Sequence, residues 1–466
     1  MSPTDDGLPA PERRRAMAVI LLGIVLAVLD GTIVNLALPA IARDLQAQPA
    51  HAIWVVNAYQ VATLGLLLPA ATLGDLVGYR RVYLAGLALF TAASLGCILA
   101  PSLGWLAGFR AVQGVGAAGI MAVNAALVRR IFPQRLLGRG VALNSMTVAI
   151  ASVAGPSVAA AVLSVAPWPA LFAINLPMGL AVLWMGRRAL PANAAPAPAG
   201  VRLSPLDVAL NVLMFALVFL GADALGVRAG SQAGAGALAA AAGLLVAGLA
   251  VGAVYLRRQR GLALPLFPID LLRIPVFRLS MGASVCAFAA QMLAYIALPF
   301  LLLDGYGRSH GEAGLLITAW PLAIVATAPL AGRLIGRVAD GTLGGIGMVA
   351  MACGLALLAA LPAQPSNIDI AWRLVLCGVG FGLFQSPNNH TIVTAPPVHR
   401  AGAASGMLGS ARLTGQTLGA VLLAVVFSFF ARAHEVRGPL IALGAAAGFA
   451  LLAAVFSTLR VRHRRG

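Results

Sequence analysis

Asp30 is a carboxylic acid in the middle of an apolar run, MAVILLGIVLAVLDGTIVNLALPAI (17–41). A buried acid in such a run marks a functional site. Held in oil, it is expected to stay uncharged until the protein turns and offers it water, so that it can take up and release a proton or sense a cation. The alternative is a structural acid neutralised by Thr32, Asn35 or an arginine of another helix. Arg110, in LAGFRAVQGVGAAG (106–119), stands in a comparable place. A guanidinium inside an apolar helix is costly unless paired or wetted, so Arg110 is expected to face a cavity or a carboxylate, or to snorkel from the helix end. Arg412, in RAGAASGMLGSARLTGQTLG (400–419), would balance Asp30, meet an anion or pack between helices.

A different chemistry is written in ATLGDLVGYRR (71–81): an acid, Asp75, then a turn at Gly78, then Arg80 and Arg81. The acid can pair with arginines or with the positive end of a neighbouring helix. Such a pairing is a latch, closed in one state and broken in another; the alternative is a turn that only sets topology. Gly155-Pro156 lies in AIASVAGPSVAAAV (149–162). There the proline deletes one backbone hydrogen bond and kinks a helix, and Ala151 and Ala159 let a neighbour pack close. Polar candidates for lining a cavity are Thr32, Asn35, Asn57, Tyr59, Gln60, Gln113, Asn124, Gln291, Tyr295 and Asn388. His390 lies near a span end and reads as solvated. The four cysteines, Cys97, Cys286, Cys353 and Cys377, lie in apolar runs and read as small core residues.

What must position these groups is a set of membrane helices. Of 466 residues, 60% are hydrophobic and 10% charged, against about 45–50% and about 25% in soluble chains. Fourteen apolar spans are expected near 16–38, 54–73, 82–100, 104–126, 141–163, 169–186, 206–225, 236–256, 276–303, 311–335, 343–361, 371–392, 401–430 and 438–459. Each can cross about 30 Å of hydrocarbon. All 32 basic residues are arginine. Without lysine there is no Walker A loop and no Schiff base, so neither an ATPase nor a retinal pump is expected. With the N-terminus in the cytoplasm, 24 arginines fall inside, five outside and three within spans, as the positive-inside rule requires. Both termini are then cytoplasmic, and the first span is read as uncleaved. The net charge of +18 follows from this topology and does not imply nucleic acid. Trp54, Trp105, Trp168, Trp320 and Trp372 fall near outer span ends and suggest an aromatic belt.

The spans fall into an all-α organisation: a cytoplasmic tail (1–15), a six-helix bundle (16–188), a Pro- and Ala-rich cytoplasmic linker (189–205), two extra helices (206–256), a basic cytoplasmic linker (257–275), a second six-helix bundle (276–459) and a tail (460–466). The bundles repeat. Gly114-Val115-Gly116 matches Gly378-Val379-Gly380 at an offset of 264, Asn124 matches Asn388 at the same offset, and ATLGDLVG matches GRLIGRVA near 261. Paired bundles with a site between them are the architecture of alternating access.

The loop at 71–81 resembles the GxLaDrxGrk signature of the major facilitator superfamily, with Ala71 and Leu76 departing from it. Residues 106–119 are similar to its span-4 motif, which implies a part in proton movement for Arg110. Residues 149–162 look like its antiporter motif, with alanines at the outer glycines. LDGTIVNLALPAI (29–41) closely resembles the opening motif of the fourteen-span drug:proton antiporters, and 54–75, 173–179 and 400–419 resemble further spans of that family.

The resemblance implies a proton-driven exporter of amphipathic drugs, antibiotics or related metabolites, using no cofactor beyond the proton gradient. It would sit as a multi-pass monomer in a bacterial inner membrane, with a small molecule, protons and lipid as its partners. An alternative is a lipid or siderophore exporter of the same fold. From another class, a membrane-embedded transferase would need an acid-rich diphosphate motif, and only Asp5-Asp6, in a tail, is available. No enzyme activity is expected.

Overall fold

Runs of leucine, alanine and glycine that cannot leave backbone groups unpaired in lipid must close their hydrogen bonds within helices. A computed structural model describes residues 7–47, 52, 54–192, 204–229, 235–260, 262, 266–397, 400–429 and 437–463. Its long helices are α1 (Ala10–Asp44), α2 (Trp54–Val77), α3 (Tyr79–Ile98), α4 (Leu103–Ile131) and α5 (Gln134–Leu163), then α6 (Pro169–Ala173) continued by α7 (Asn175–Ala189). There follow α8 (Pro205–Ala229), α9 (Ala235–Gln259), the short α10 (Ile269–Leu272), α11 (Pro275–Phe300) ending in a π-turn (Leu301–Gly305), α12 (His310–Leu334), α13 (Asp340–Ala359), α14 (Asn367–Thr394), α15 (Ala401–Phe429) and α16 (Arg437–His463). The expected linker falls mostly on 193–203, and that part and the ends of both tails lie outside the described residues.

Eleven helices among the described residues are long and apolar enough to cross a membrane, and Pro205–Gly221 is a shorter apolar stretch. The expectation of fourteen is therefore finer than this count. Helices α5 (Gln134–Leu163) and α15 (Ala401–Phe429) are also long, and Asn144, Ser145 and Ser152 on one and Ser405 and Arg412 on the other line the interior.

One apolar core draws on α1 to α7 and another on α11 to α16. The two share a packing scheme. A Cβ on Gly116 would lie 2.6 Å from the Phe90 nitrogen, and one on Gly380 2.5 Å from the Met351 nitrogen. A Cβ on Gly114 would strike the Tyr59 carbonyl, and one on Gly378 the Trp320 carbonyl. These partners are related by the offsets 264 and 261, so the sequence repeat is also a repeat of backbone-to-backbone approach, for which small residues are needed. Gly78 (φ 103°) and Gly336 (φ 86°) make the sharp turns after α2 and α12, a conformation that side chains with a Cβ rarely adopt.

Helix α8 packs on α2 and α15, and α9 packs on α8. Pro69 inside α2 has no N–H to give to the Gly65 carbonyl one turn back. The amide of Asn211 in α8 donates to that carbonyl at 2.7 Å. The extra pair is thus tied to the seam between the halves through a proline defect.

The aromatic belt needs correction. Trp54, Trp105 and Trp372 are exposed, whereas Trp168 and Trp320 are buried. Trp168 donates to Asp44 at 2.8 Å, and Trp320 packs edge-on against Tyr295. Of the cysteines, Cys353 is exposed and the other three are buried.

Candidate functional site

Asp30 meets Arg110. Both side chains are fully buried, and Arg110 Nη1 donates to Asp30 Oδ2. Helix α1 brings the acid past its midpoint while α4 brings the arginine from its second turn, so the two charges meet between antiparallel helices. The other carboxylate oxygen accepts from Gln113 Nε2 at 3.1 Å and from Asn175 Nδ2 at 2.6 Å. Gln113 also accepts from Arg110 Nη1 at 2.6 Å and donates to Ser94 at 2.8 Å. Arg110 Nε donates to the Val55 carbonyl at 3.0 Å. These further hydrogen bonds offset part of the cost of burying the two charges, and only Arg110 Nη2 has no hydrogen-bond partner among the described residues.

Of the two readings of Asp30, the geometry matches the acid paired with an arginine of another helix. Arg110 faces that carboxylate and does not snorkel from the helix end. Thr32, offered as a neutralising partner, instead donates to the Leu29 carbonyl at 2.8 Å. The side chains of Asn35 and Pro156 lie outside the described residues. Asn175 and Ser94 were not anticipated. The available signal was a lone asparagine in AINLPMG, with no charge to draw attention to it.

Beside this network is a central cavity of about 250 Å³ lined from both halves. Tyr59 stands between the two. Its ring faces the Arg110 guanidinium at 4.2 Å, its hydroxyl donates to the Ala27 carbonyl at 2.9 Å, and it also lines the cavity. A cation over an aromatic face is attracted to it, so Tyr59 partitions the ion pair from the cavity. Thr32, Gln60, Asn124 and Arg412 line the cavity as well.

Other polar candidates do not. Gln113 belongs to the Asp30 network. Asn388 donates to Ser284 at 2.7 Å and accepts from Arg460 at 2.6 Å. Its neighbour Asn389, about 100° further round the helix, faces the cavity and donates to Ser145 at 3.2 Å. Tyr295 packs on Trp320 in the second core, and Gln291 and Asn57 are buried. Helix α5 runs unbroken through Gly155, where a Cβ would strike Thr32 of α1. Arg412 forms no ion pair among the described residues; its guanidinium lies 5.9 Å from the Phe288 ring centre.

Asp75 does not pair with Arg80 or Arg81. It accepts from the backbone N–H groups of Gly402 at 2.9 Å and Ala403 at 3.0 Å, the start of α15, and from the Tyr79 hydroxyl at 2.7 Å. The free N–H groups and partial positive charge of a helix start suit a carboxylate. Arg80 donates to the Arg187 carbonyl and Arg81 to the Val77 carbonyl at 3.4 Å. Across the same seam, Arg129 donates to the carbonyls of Val393 at 2.6 Å and Pro396 at 3.0 Å, at the end of α14. Opposite charges on the first half thus hold two adjacent helix ends of the second. The reading of His390 as solvated is also corrected: its Nδ1 lies 2.7 Å from Asp340, which accepts from Thr391 at 3.1 Å. Among the described residues no group of three His, Cys, Asp or Glu is placed to hold a metal.

The model of the Major Facilitator Superfamily matches residues 20–420 and 281–466. The chain is 50% identical over 460 residues to the uncharacterized transporter YebQ of Escherichia coli K12, covering 99% of this chain and 98% of that one. It is 31% identical over 411 residues to the multidrug resistance protein Stp of Mycobacterium tuberculosis, covering 87% and 74%. The fold matches a crystal structure of the human organic anion transporter MFSD10 with a TM-score of 0.66 at 15% identity, covering 97% of this chain and all of that one; that likeness speaks for the fold alone. A helical membrane protein with paired halves, a closed seam and a cavity between them is thus a transporter rather than an enzyme, and the chain belongs to the Major Facilitator Superfamily.

Proposed function

We propose that this transporter is a proton-driven exporter of small amphipathic molecules that works by alternating access. The reading takes fourteen spans in two six-helix bundles with α8 and α9 between them, both termini in the cytoplasm and a bacterial inner membrane. The likeness to a protein named for multidrug resistance supports export. The observation that carries the reading is the buried Asp30–Arg110 pair, separated from the cavity by one aromatic ring. A proton delivered to Asp30 cancels its attraction for Arg110. The guanidinium then has less to hold it over Tyr59, and the ring is free to move at the cavity wall. Substrate in the cavity presses on the same ring from the other side. The seam held by Asp75 and Arg129 closes one end in this state, which the arginine distribution assigns to the cytoplasm.

Everted vesicles test it. Addition of a transported drug is expected to release protons from energised vesicles bearing the wild-type chain, and Asp30→Asn is expected to abolish the release. The double variant Asp30→Asn/Arg110→Gln, which leaves no lone buried charge, guards against simple misfolding. Undiminished proton release from Asp30→Asn would overturn the assignment of coupling to this pair.

A further inference from the structure

The central cavity holds an electrostatic imbalance that the ion-pair network does not use. Among the described residues that line it, Arg412 carries the only charge and no carboxylate is present. Asp30, behind Tyr59, is engaged with Arg110, Gln113 and Asn175. Arg412 sits towards the middle of α15, its guanidinium lies 5.9 Å from the Phe288 ring centre, and it forms no ion pair among the described residues. Arg412 is half-buried at the wall of this cavity, and a guanidinium among membrane helices is costly unless an anion or water meets it. The surrounding groups fit an anion's needs. Asn124 is buried and its side-chain N–H₂ has no partner among the described residues, while Gln60 and Gln416 bring further amides to the wall. Leu67, Phe288 and Leu408 supply the apolar remainder.

We propose that the cavity selects amphipathic molecules carrying a single negative charge, with Arg412 as the residue that determines this preference. The inference rests on the reading of the cavity as the transport site. A planar or compact apolar body would lie against Phe288 and Leu67 while a carboxylate, phenolate or sulfonate meets the guanidinium, which offers a planar fork suited to such groups. A cationic amphipath of the same shape would face a like charge with no acid to offset it, and like-charge juxtaposition is an effective means of rejection. A neutral analogue would lose the charge contact and keep the apolar one.

Three dyes built on the phenoxazine ring system separate these cases: resorufin, an anion at neutral pH; 7-methoxyresorufin, neutral; and cresyl violet, a cation with one further fused ring. Their binding to the purified full chain in lipid nanodiscs is read by equilibrium dialysis, with empty nanodiscs as the reference. The wild type is expected to bind resorufin at least tenfold more tightly than cresyl violet. Arg412→Gln is expected to weaken resorufin at least tenfold and to change 7-methoxyresorufin less than threefold, and Arg412→Lys to recover part of the loss. Ser152→Trp, which fills the cavity, is expected to weaken both resorufin and its methyl ether. Equal or tighter binding of cresyl violet, no binding of any dye, or resorufin binding unaffected by Arg412→Gln would overturn the inference. Because binding needs no gradient, anion-selective binding without proton release would sink the export reading alone. Proton release with cationic selectivity would sink this inference alone.

Discussion

Breaking the pair between Asp30 and Arg110 from either side leaves a buried charge with no counter-ion, which costs about 3–5 kcal/mol. Asp30→Asn and Arg110→Gln are each expected to lower the thermal unfolding midpoint of the purified protein. The double variant is expected to be clearly more stable than the sum of the two losses, because it leaves no lone charge. Additive losses would show that the two residues do not act as a unit. Both residues were legible in the sequence, since a charge in an apolar helix announces itself by its cost. Their partnership was left open there, because Asp30 and Arg110 lie 80 positions apart. Asn175 was missed for a different reason. An uncharged amide in a membrane helix has many harmless uses, and only its 2.6 Å approach to the carboxylate identifies this one.

At the scale of elements, the seam depends on helix ends. In Asp75→Asn one oxygen becomes an amide N–H₂, which faces the N–H groups of α15 and cannot accept from them. Closure is expected to weaken, and drug transport to fall at least tenfold with the protein still folded. The opening is checked by a cysteine in place of Ala404, which is fully buried at the start of α15. Reaction of Ala404→Cys with a water-soluble maleimide should be slow when Asp75 is present and fast in Asp75→Asn. Equal rates would show that the carboxylate does not hold the seam. The sequence allowed arginines or a helix start as the partner of Asp75. The structure selects the helix start because Arg80 and Arg81 are drawn to carbonyls at other helix ends. The glycines at 402, 406 and 409 are visible in the sequence as a small-residue face, but the helix they meet lies more than 300 positions away.

At the scale of the whole molecule, the two halves are built on the same close helix contacts. Gly116→Leu and Gly380→Leu would each drive a side chain into the backbone of the adjacent helix, and each is expected to abolish recovery of a monodisperse protein by gel filtration. Gly448→Leu, where nothing lies within 4 Å, is expected to leave the profile unchanged. Folding of all three alike would remove the glycine contacts as the basis of the repeat. Against this symmetry, the lone positive charge of Arg412 stands out. An empty carrier turns over with that charge exposed at its centre; one filled by a monoanion turns over electrically silent. Moving one elementary charge across the whole bilayer at 100 mV involves about 2.3 kcal/mol, and Arg412 samples a fraction of that field. If the cargo is the proposed monoanion, membrane voltage acts on the return stroke and spares the delivery stroke, so the rate of resetting, rather than the grip on cargo, is where the cell's electrical state enters.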